Sequence, residues 1–217
     1  MKKGKLIVIE GVDGSGKGTL TTMLENELRK RGERVRRISF PRYGEKSAVP
    51  VEQYLGGELG GRPEDTNAYA ASTLFAVDRY LSYRTDWGKD LRDGVILIAD
   101  RYTTANAVHQ LTKLPREEWD GFLDWLFALE YEKMGLPVPD TTVYVEMLPE
   151  ISKRLIAARG RGTDIHETDP THLERAYAAG LYACEKMGWH RVKNYEGTEP
   201  RELAQTFAEV LAVTDRL

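Results

Sequence analysis

Residues 11–19 read Gly-Val-Asp-Gly-Ser-Gly-Lys-Gly-Thr and directly follow the apolar run Leu-Ile-Val-Ile at residues 6–9. A Gly-x-x-x-x-Gly-Lys segment after a buried strand is typical of a phosphate-binding loop, because its glycines let consecutive backbone N–H groups converge on phosphate oxygens. The following helix adds the positive end of its dipole, and Lys17 adds a point charge. We therefore interpret this loop as a nucleoside triphosphate site comprising Gly11, Gly14, Ser15, Gly16, Lys17, Gly18 and Thr19.

A second apolar run, at residues 95–99, leads directly into Asp100. A carboxylate at the carboxyl end of a buried strand suits the metal-side acid of a nucleotide site, since open α/β sheets bind ligands at that edge. The alternative is that Asp100 caps the next helix. The chain lacks an Asn-Lys-x-Asp guanine signature, so ATP is the simplest nucleotide.

The composition excludes several classes of protein. The 217 residues suffice for one well-packed domain, and we expect a single domain over residues 1–217. A net charge of −3 does not favour non-specific nucleic-acid binding. We find no apolar stretch of membrane-spanning length and no signal-peptide core, so we expect no membrane partner. Cys184 is the only cysteine, which fits a cytoplasmic location.

Short apolar runs alternate with helical patterns along the chain, and this order predicts an α/β fold. The candidate strands are residues 5–9, 35–40, 95–99, 142–146 and 191–195. The candidate helices are one between the first two strands, then residues 67–87, about 123–127, 150–158, 172–187, and 200–213 with Thr198 as a possible cap. Continuously apolar strands are buried on both faces. We therefore expect a P-loop NTPase fold with a five-stranded parallel sheet and helices on both faces.

Two further motifs bring aromatic and basic side chains to this edge. Residues 40–43, Phe-Pro-Arg-Tyr, close the second strand, because the proline has no N–H for strand pairing. Phe75 and Arg79 lie at i and i+4 on one helix face. A ring and a guanidinium side by side can sandwich and hydrogen-bond a planar base. The same pair also occurs as a core aromatic beside a surface arginine.

Together these segments resemble the thymidylate kinase family of the nucleoside monophosphate kinase superfamily. The match follows the family's order and spacing over most of the first half, and more loosely over the second. The matching residues are Glu10-Gly11-Val12-Asp13-Gly14-Ser15-Gly16-Lys17, Phe40-Pro41-Arg42-Tyr43, Phe75-Ala76-Val77-Asp78-Arg79-Tyr80 and Asp100-Arg101-Tyr102-Thr103-Thr104-Ala105-Asn106. The Asp-Arg-Tyr block combined with Phe-Pro-Arg-Tyr is specific, whereas the loop alone is not.

The resemblance implies a kinase that transfers the γ-phosphate of ATP to dTMP, with Mg²⁺ as cofactor. It implies that Asp13 contacts the acceptor 3′-hydroxyl, that Phe75 stacks on thymine and that Arg79 hydrogen-bonds the thymine O4. Arg101, together with Arg42 and Tyr43, would hold the 5′-phosphate. The implied dTMP site is Asp13, Phe40, Arg42, Tyr43, Phe75, Arg79, Arg101 and Asn106, with a cis bond between Phe40 and Pro41.

Members of the family keep a transition-state arginine either in the phosphate loop or in a mobile lid. Gly14 occupies the loop position here, whereas Arg154, Arg159 and Arg161 lie where the lid is expected. The resemblance therefore implies the lid-arginine type, with a lid at about residues 154–166 within the single domain, although a solvated turn at residues 158–162 is the alternative. The implied catalytic set is Asp13, Lys17, Arg101, Arg154, Arg159 and Arg161.

The position after the loop lysine, usually serine or threonine, is Gly18. Adenylate kinases share this Gly-Lys-Gly-Thr order, and their magnesium relies mainly on phosphates and water. By that resemblance we expect Thr19 to bind an inner phosphate and Asp100 to reach Mg²⁺ through water. The resemblance also implies a homodimer, for which Tyr69, Leu74 and Tyr80 either form a face or belong to the core.

Three other functions remain open from the sequence. The acceptor can be another deoxynucleotide or a deoxynucleoside, although deoxynucleoside kinases usually have Glu-Arg-Ser where this chain has Asp-Arg-Tyr at residues 100–102. The third is a non-catalytic nucleotide-binding module. The intact Lys17, Asp13 and Arg101 favour an enzyme over such a module.

Overall fold

Five parallel strands form the central sheet of the computed structural model, which describes residues 3–159 and 171–217. They are β1 (Leu6–Glu10), β2 (Val35–Ser39), β3 (Ile96–Asp100), β4 (Thr141–Glu146) and β5 (His190–Lys193). Their order across the sheet is β2-β3-β1-β4-β5, which places β1 in the middle. The predicted α/β fold is confirmed, and each predicted strand end lies within two residues of the observed one.

Helices cover both faces of the sheet. They are α1 (Lys17–Lys30), α2 (Val49–Leu55), α3 (Ala68–Ser82), α4 (Gly88–Arg92), α5 (Thr103–His109), α6 (Trp119–Phe127), α7 (Pro149–Arg159), α8 (His172–Lys186) and α9 (Leu203–Thr214). Two short π-helical segments, Tyr83–Trp87 and Ala128–Lys133, continue α3 and α6. Over the described residues, none of these helices combines the length and apolar character needed to span a bilayer.

Side chains of β1 alternate between two apolar layers. On one face, Ile7 and Ile9 pack in a cluster with residues of α1 and α9. On the other face, Leu6 and Val8 pack in a cluster with Trp87. These β1 side chains are at most 2% exposed. The strand that leads into the phosphate loop is therefore anchored from both sides.

The π-helical turn at Tyr83–Trp87 depends on Gly88. The N–H of Gly88 donates to the carbonyl of Tyr83, five residues earlier. A Cβ on Gly88 would stand 2.3 Å from that carbonyl oxygen and 2.7 Å from the Tyr83 ring. The predicted helix over residues 67–87 is confirmed in extent, but its periodicity does not indicate this wider last turn.

The predicted start of the last helix at Pro200, with Thr198 as its cap, is wrong. Tyr195–Glu196 (β6) and Glu199–Pro200 (β7) form an antiparallel hairpin instead, and α9 begins only at Leu203. Gly197 in the hairpin turn has a φ of 58°, which glycine adopts without strain. Proline is tolerated in a short edge strand, because no N–H is needed there.

Gly180 in α8 is expected to be intolerant of a side chain. Its missing Cβ would stand 2.2 Å from the buried Tyr144 hydroxyl oxygen, so Gly180→Ala should lower the free energy of unfolding by about 1–3 kcal/mol. Gly121 in α6 has nothing within 4 Å of its missing Cβ. Gly121→Ala should therefore stabilise the chain by roughly 0.5–1 kcal/mol through helix propensity. Urea unfolding measures the free energy of unfolding of both variants. Equal changes in the two variants would contradict a steric clash at Gly180.

Candidate active site

The phosphate loop packs directly against α7. Gly14 has a φ of 76°, a conformation that favours glycine. Its missing Cβ would stand 2.8 Å from the carbonyl oxygen of Ser152 in α7. In this arrangement no side chain fits at position 14, so the loop has no room for an arginine there.

Asn194, which directly follows β5, fastens the other side of the loop. Its Nδ2 donates to the Ser15 carbonyl at 2.8 Å, and its Oδ1 accepts from the Thr206 hydroxyl of α9 at 2.8 Å. A Cβ on Gly16 would stand 2.8 Å from the same Nδ2. The second half of the chain therefore sets the loop's conformation. No local sequence pattern distinguishes Asn194, which falls within the predicted strand at residues 191–195.

Three charged side chains meet where the loop faces the end of β3. An Arg101 Nη donates to Asp13 Oδ1 at 2.7 Å, and Lys17 Nζ lies 3.6 Å from the same oxygen. Burial opposes ionisation of Asp13, but Arg101 and Lys17 hold the pKa of its carboxyl well below the usual range. Arg101 also contacts the ring of His109 in α5. Of the predicted catalytic residues, Asp13, Lys17 and Arg101 are thus brought together.

Glu10, the last residue of β1, is a buried carboxylate that the sequence analysis did not interpret. It accepts from the Gly11 N–H at 2.9 Å and from the Thr104 hydroxyl of α5 at 2.6 Å. Burial raises the pKa of Glu10, although Arg101 opposes the shift. A charged residue at the end of an otherwise apolar strand was the available signal.

Asp100 ends β3 beside the first turn of α1. A Cβ on Gly18 would stand 3.3 Å from Asp100 Oδ2, so the glycine leaves space over this carboxylate. The alternative that Asp100 caps the next helix is wrong, because Tyr102 is the N-cap of α5 and no side chain caps that helix. Within residues 3–159 and 171–217, no group of three His, Cys, Asp or Glu residues can hold a metal. One oxygen donor with space beside it suits a Mg²⁺ ion that keeps water and phosphate ligands.

The loop after β2 carries the predicted phosphate-binding arginine. The Phe40–Pro41 bond is cis, as the resemblance implies. An Arg42 Nη donates to Asp86 Oδ2 at 2.6 Å, and the Arg42 backbone N–H donates to Asp78 Oδ2 at 2.9 Å. The loop thus holds Arg42 at the rim of an open cavity of about 300 Å³.

The two aromatic residues of this loop differ in exposure. Tyr43 is 62% exposed and lines the same cavity as Arg42. Phe40 is 4% exposed and packs against the rings of Trp87 and Tyr102 in the core. Their roles as dTMP contacts stay predictions.

Arg79 is buried and paired, not exposed. Its Nε and one Nη donate to the two carboxylate oxygens of Glu130, each at 2.6 Å, and both side chains are at most 1% exposed. The alternative of a surface arginine is therefore wrong. Phe75 lies half-buried with its ring edge-on to Tyr54 at 6.0 Å. Asn106 is buried and donates to the Ser72 carbonyl at 3.2 Å.

The predicted lid arginines fall partly outside the described residues. Arg154 lies in α7, where it pairs with Glu199 at 3.1 Å and donates to the Thr198 carbonyl at 2.6 Å. It thereby joins α7 to the β6–β7 hairpin. Arg159 ends α7. Arg161, with the rest of the predicted lid, lies outside the described residues.

The candidate dimer residues have packing partners within the chain. Tyr69 stands edge-on to the rings of Phe122 and Trp125 at 5.3 and 4.7 Å. Leu74 packs on a cluster that contains Val51 and Tyr54. Tyr80 is partly exposed on α3.

Comparison with known proteins identifies the family. The family model described as "Thymidylate kinase" matches residues 9–199. The chain belongs to the thymidylate kinase family. Similar proteins include the thymidylate kinase of Mycobacterium tuberculosis, 33% identical over 190 residues, which are 85% of this chain and 87% of the relative. The thymidylate kinase of Caenorhabditis elegans is 28% identical over 205 residues, covering 90% of this chain and 85% of the relative.

A solved structure agrees with the fold. Thymidylate kinase from Candida albicans superposes with a TM-score of 0.72 at 22% identity, covering 99% of this chain and 92% of that one. Membership of this family makes the chain an enzyme that phosphorylates dTMP to dTDP, and a kinase family implies the use of ATP. The predicted family, fold and activity are therefore confirmed.

Asn194→Ala is expected to raise the KM for ATP roughly fivefold, because a buried hydrogen bond to the loop is worth about 1 kcal/mol. Asn67→Ala is the matched control: Asn67 caps α3 by accepting from the Ala70 N–H at 2.8 Å. Its loss should cost about 1 kcal/mol of stability without changing the KM for ATP. Steady-state kinetics compare the two, and an unchanged KM in Asn194→Ala would refute the role of this contact.

Proposed function

We propose that this chain moves the γ-phosphoryl group of ATP onto a 5′-phosphate oxygen of dTMP, with ATP on the loop at residues 11–19. The observation that carries the site assignment is the ion pair between Asp13 and Arg101 at 2.7 Å. Asp13 belongs to the loop that would cradle ATP, and Arg101 follows the strand end that would face dTMP. The donor and acceptor sites would therefore meet at this pair.

The chemistry proposed needs positioning and charge, but no strong base. The attacking phosphate oxygen is already ionised at neutral pH, so catalysis rests on alignment and on stabilising the charge of the transferring group. Lys17 would supply positive charge on the ATP side and Arg101 on the dTMP side. The depressed pKa of Asp13 keeps its carboxylate available to accept from the 3′-hydroxyl.

We propose that Mg²⁺ binds beside Asp100 and that the carboxylate holds it through water. Bound there, Mg²⁺ would neutralise charge on the phosphates of ATP. Gly18 leaves space at this position, since even a Cβ would approach Asp100 Oδ2 to 3.3 Å. Thr19, exposed on the first turn of α1, remains the candidate for an inner phosphate of ATP.

The proposed acceptor site runs from Arg42 to Phe75. Arg42 and Arg101 would hold the 5′-phosphate with help from Tyr43, and Phe75 would stack on thymine. Arg79 would donate to the thymine O4, and Asn106 would make the second contact to the base. Support comes from the burial of Arg79 and Asn106, which suits recognition of a neutral base better than of a phosphate.

A coupled ADP-release assay with ATP and dTMP, dUMP, dCMP, dGMP or AMP tests the acceptor. We expect the highest kcat/KM with dTMP, and loss of turnover when EDTA removes the metal, because the phosphate charge is then uncompensated. Arg79→Met should selectively lower kcat/KM for dTMP. A higher kcat/KM with a purine nucleotide, or no turnover with any acceptor, would overturn the proposal.

The transition-state arginine is proposed to be Arg159, the last residue of α7, or Arg161, which follows it in the chain. Support comes from the crowding at Gly14, which leaves no room for an arginine in the loop. Arg154 is a weaker candidate than Arg159 or Arg161, because it already pairs with Glu199.

Arg159→Ala or Arg161→Ala is expected to lower kcat by about 10³-fold or more, with a much smaller rise in the KM for dTMP, since such an arginine acts mainly on the transition state. Arg154→Ala serves as the control and should change kcat far less. Steady-state kinetics measure these values. If both variants keep the wild-type kcat, neither arginine stabilises the transition state and the lid assignment is wrong.

A homodimer and a cytoplasmic location stay predictions of the sequence. Two apolar side chains of α3, Tyr69 and Leu81, are partly exposed and could contact a second copy of the chain. Measurement of the native mass by sedimentation tests the dimer against the chain mass of 24.6 kDa.

A further inference from the structure

Three side chains around the proposed thymine site converge on one buried carboxylate, Glu130. Its Oε2 accepts from Arg79 Nε at 2.6 Å and from the Thr103 hydroxyl at 2.8 Å. Its Oε1 accepts from an Arg79 Nη at 2.6 Å and, at a longer 3.4 Å, from Asn106 Nδ2. Glu130 is fully buried in the π-helical segment Ala128–Lys133. It therefore connects α3, α5 and the extension of α6.

The pairing restricts which donors Arg79 can offer to a ligand. A guanidinium has five N–H donors in a rigid plane, and Glu130 occupies one edge of that plane through Nε and one Nη. The other terminal nitrogen makes only a long contact, 3.4 Å, to the Tyr102 carbonyl. The donors left for a ligand therefore lie on the terminal nitrogens, in an orientation that the carboxylate fixes.

The same pairing changes the charge at the base end of the site. Burial alone would lower the pKa of Arg79, but the Glu130 carboxylate raises it above its usual value. The arginine is thus permanently charged while the pair is neutral overall. Such a pair offers hydrogen-bond donors without a net charge that would attract the phosphate of the nucleotide to the wrong end.

The amide of Asn106 is oriented by the same group. Its Nδ2 donates to the Ser72 carbonyl at 3.2 Å and faces Glu130. Among the described residues, nothing donates a hydrogen bond to its Oδ1. Asn106 is therefore set as an acceptor and Arg79 as a donor. This order matches the N3–H and O4 of thymine, and it opposes the N3 acceptor and N4 amino group of cytosine.

We propose that Glu130 is a positioning residue that fixes the donor–acceptor order of Arg79 and Asn106, and thereby makes the site prefer 4-oxo over 4-amino pyrimidine nucleotides. Its role rests on the proposed function, since it requires Arg79 to face the O4 of the base. Glu130 does not touch the nucleotide itself; it acts through the two side chains that do.

A matched control exists elsewhere in the fold. Glu146 at the end of β4 is equally buried and accepts from Arg191 through Nε at 2.5 Å and Nη at 2.8 Å. Its other partners are the hydroxyls of Tyr177 and Tyr195. Loss of either carboxylate's charge removes a bidentate pair with an arginine, although Arg191 is half exposed whereas Arg79 is buried. Only Glu130 contacts Arg79 and Asn106.

The test compares Glu130→Gln, Glu130→Asp and Glu146→Gln. Loss of a charged, buried hydrogen-bond network is worth about tenfold or more in affinity. Glu130→Gln should therefore raise the KM and the calorimetric Kd for dTMP by at least about tenfold, and lower the preference for dTMP over dCMP by a similar factor. The KM for ATP and the kcat at saturating dTMP should change far less. Glu130→Asp, which keeps the charge, should give smaller shifts in the same direction.

Urea unfolding identifies losses of stability, which we expect in both glutamine variants. The proposal is overturned if folded Glu130→Gln keeps the wild-type dTMP affinity and dTMP preference, or if Glu146→Gln changes them equally. If Glu130→Gln does not fold, an unchanged preference in Glu130→Asp overturns it. Absence of dTMP turnover by the unmodified chain would instead count against the proposed function. The two failures can be distinguished, because the calorimetric Kd for dTMP is measured without turnover.

Discussion

The ion pair between Asp13 and Arg101 is the contact on which the site depends. It joins the phosphate loop to the end of β3, and Lys17 and the buried Glu10 lie close enough to influence its charges. Asp13 and Arg101 are partly buried, and removing one partner would leave a poorly solvated charge unpaired. The neighbouring strands β1 and β3 hold the two partners in register. The sheet therefore supplies the rigidity that the charge arrangement needs.

Each arginine of the proposed acceptor site is held by a carboxylate from a different element. Asp13 holds Arg101, Asp86 holds Arg42, and Glu130 holds Arg79. Long flexible side chains lose conformational entropy when a ligand immobilises them, and ion pairing before binding removes part of that cost. The guanidinium groups are therefore positioned when the protein folds and not when the ligand binds. Electrostatic stabilisation of a transferring phosphoryl group depends on such preorganised charges.

The sequence predicted the parts of the site that local chemistry determines. The loop glycines and Lys17 follow one apolar run, and Asp100 follows another. Each run therefore indicates both a buried strand and the site residues at its carboxyl end. Glu130 and Asn194 were missed, because their partners lie 51 and 179 residues away and no local pattern reveals such contacts. The last helix was placed too early, because Pro200 is equally compatible with a helix start and with the edge of a short strand. Tertiary pairing decided each of these positions.

The two π-helical segments make the acceptor site sensitive to chain length. Asp86 lies in one and Glu130 in the other, so two of the three arginine-holding carboxylates belong to turns that contain an extra residue. An α-helix advances about 100° per residue. Removing one residue from such a turn would therefore swing the carboxylate about a quarter of a revolution away from its arginine. A deletion that conserves every chemically important residue would in this way dismantle the site, whereas many substitutions on the exposed faces of the same helices would leave it intact.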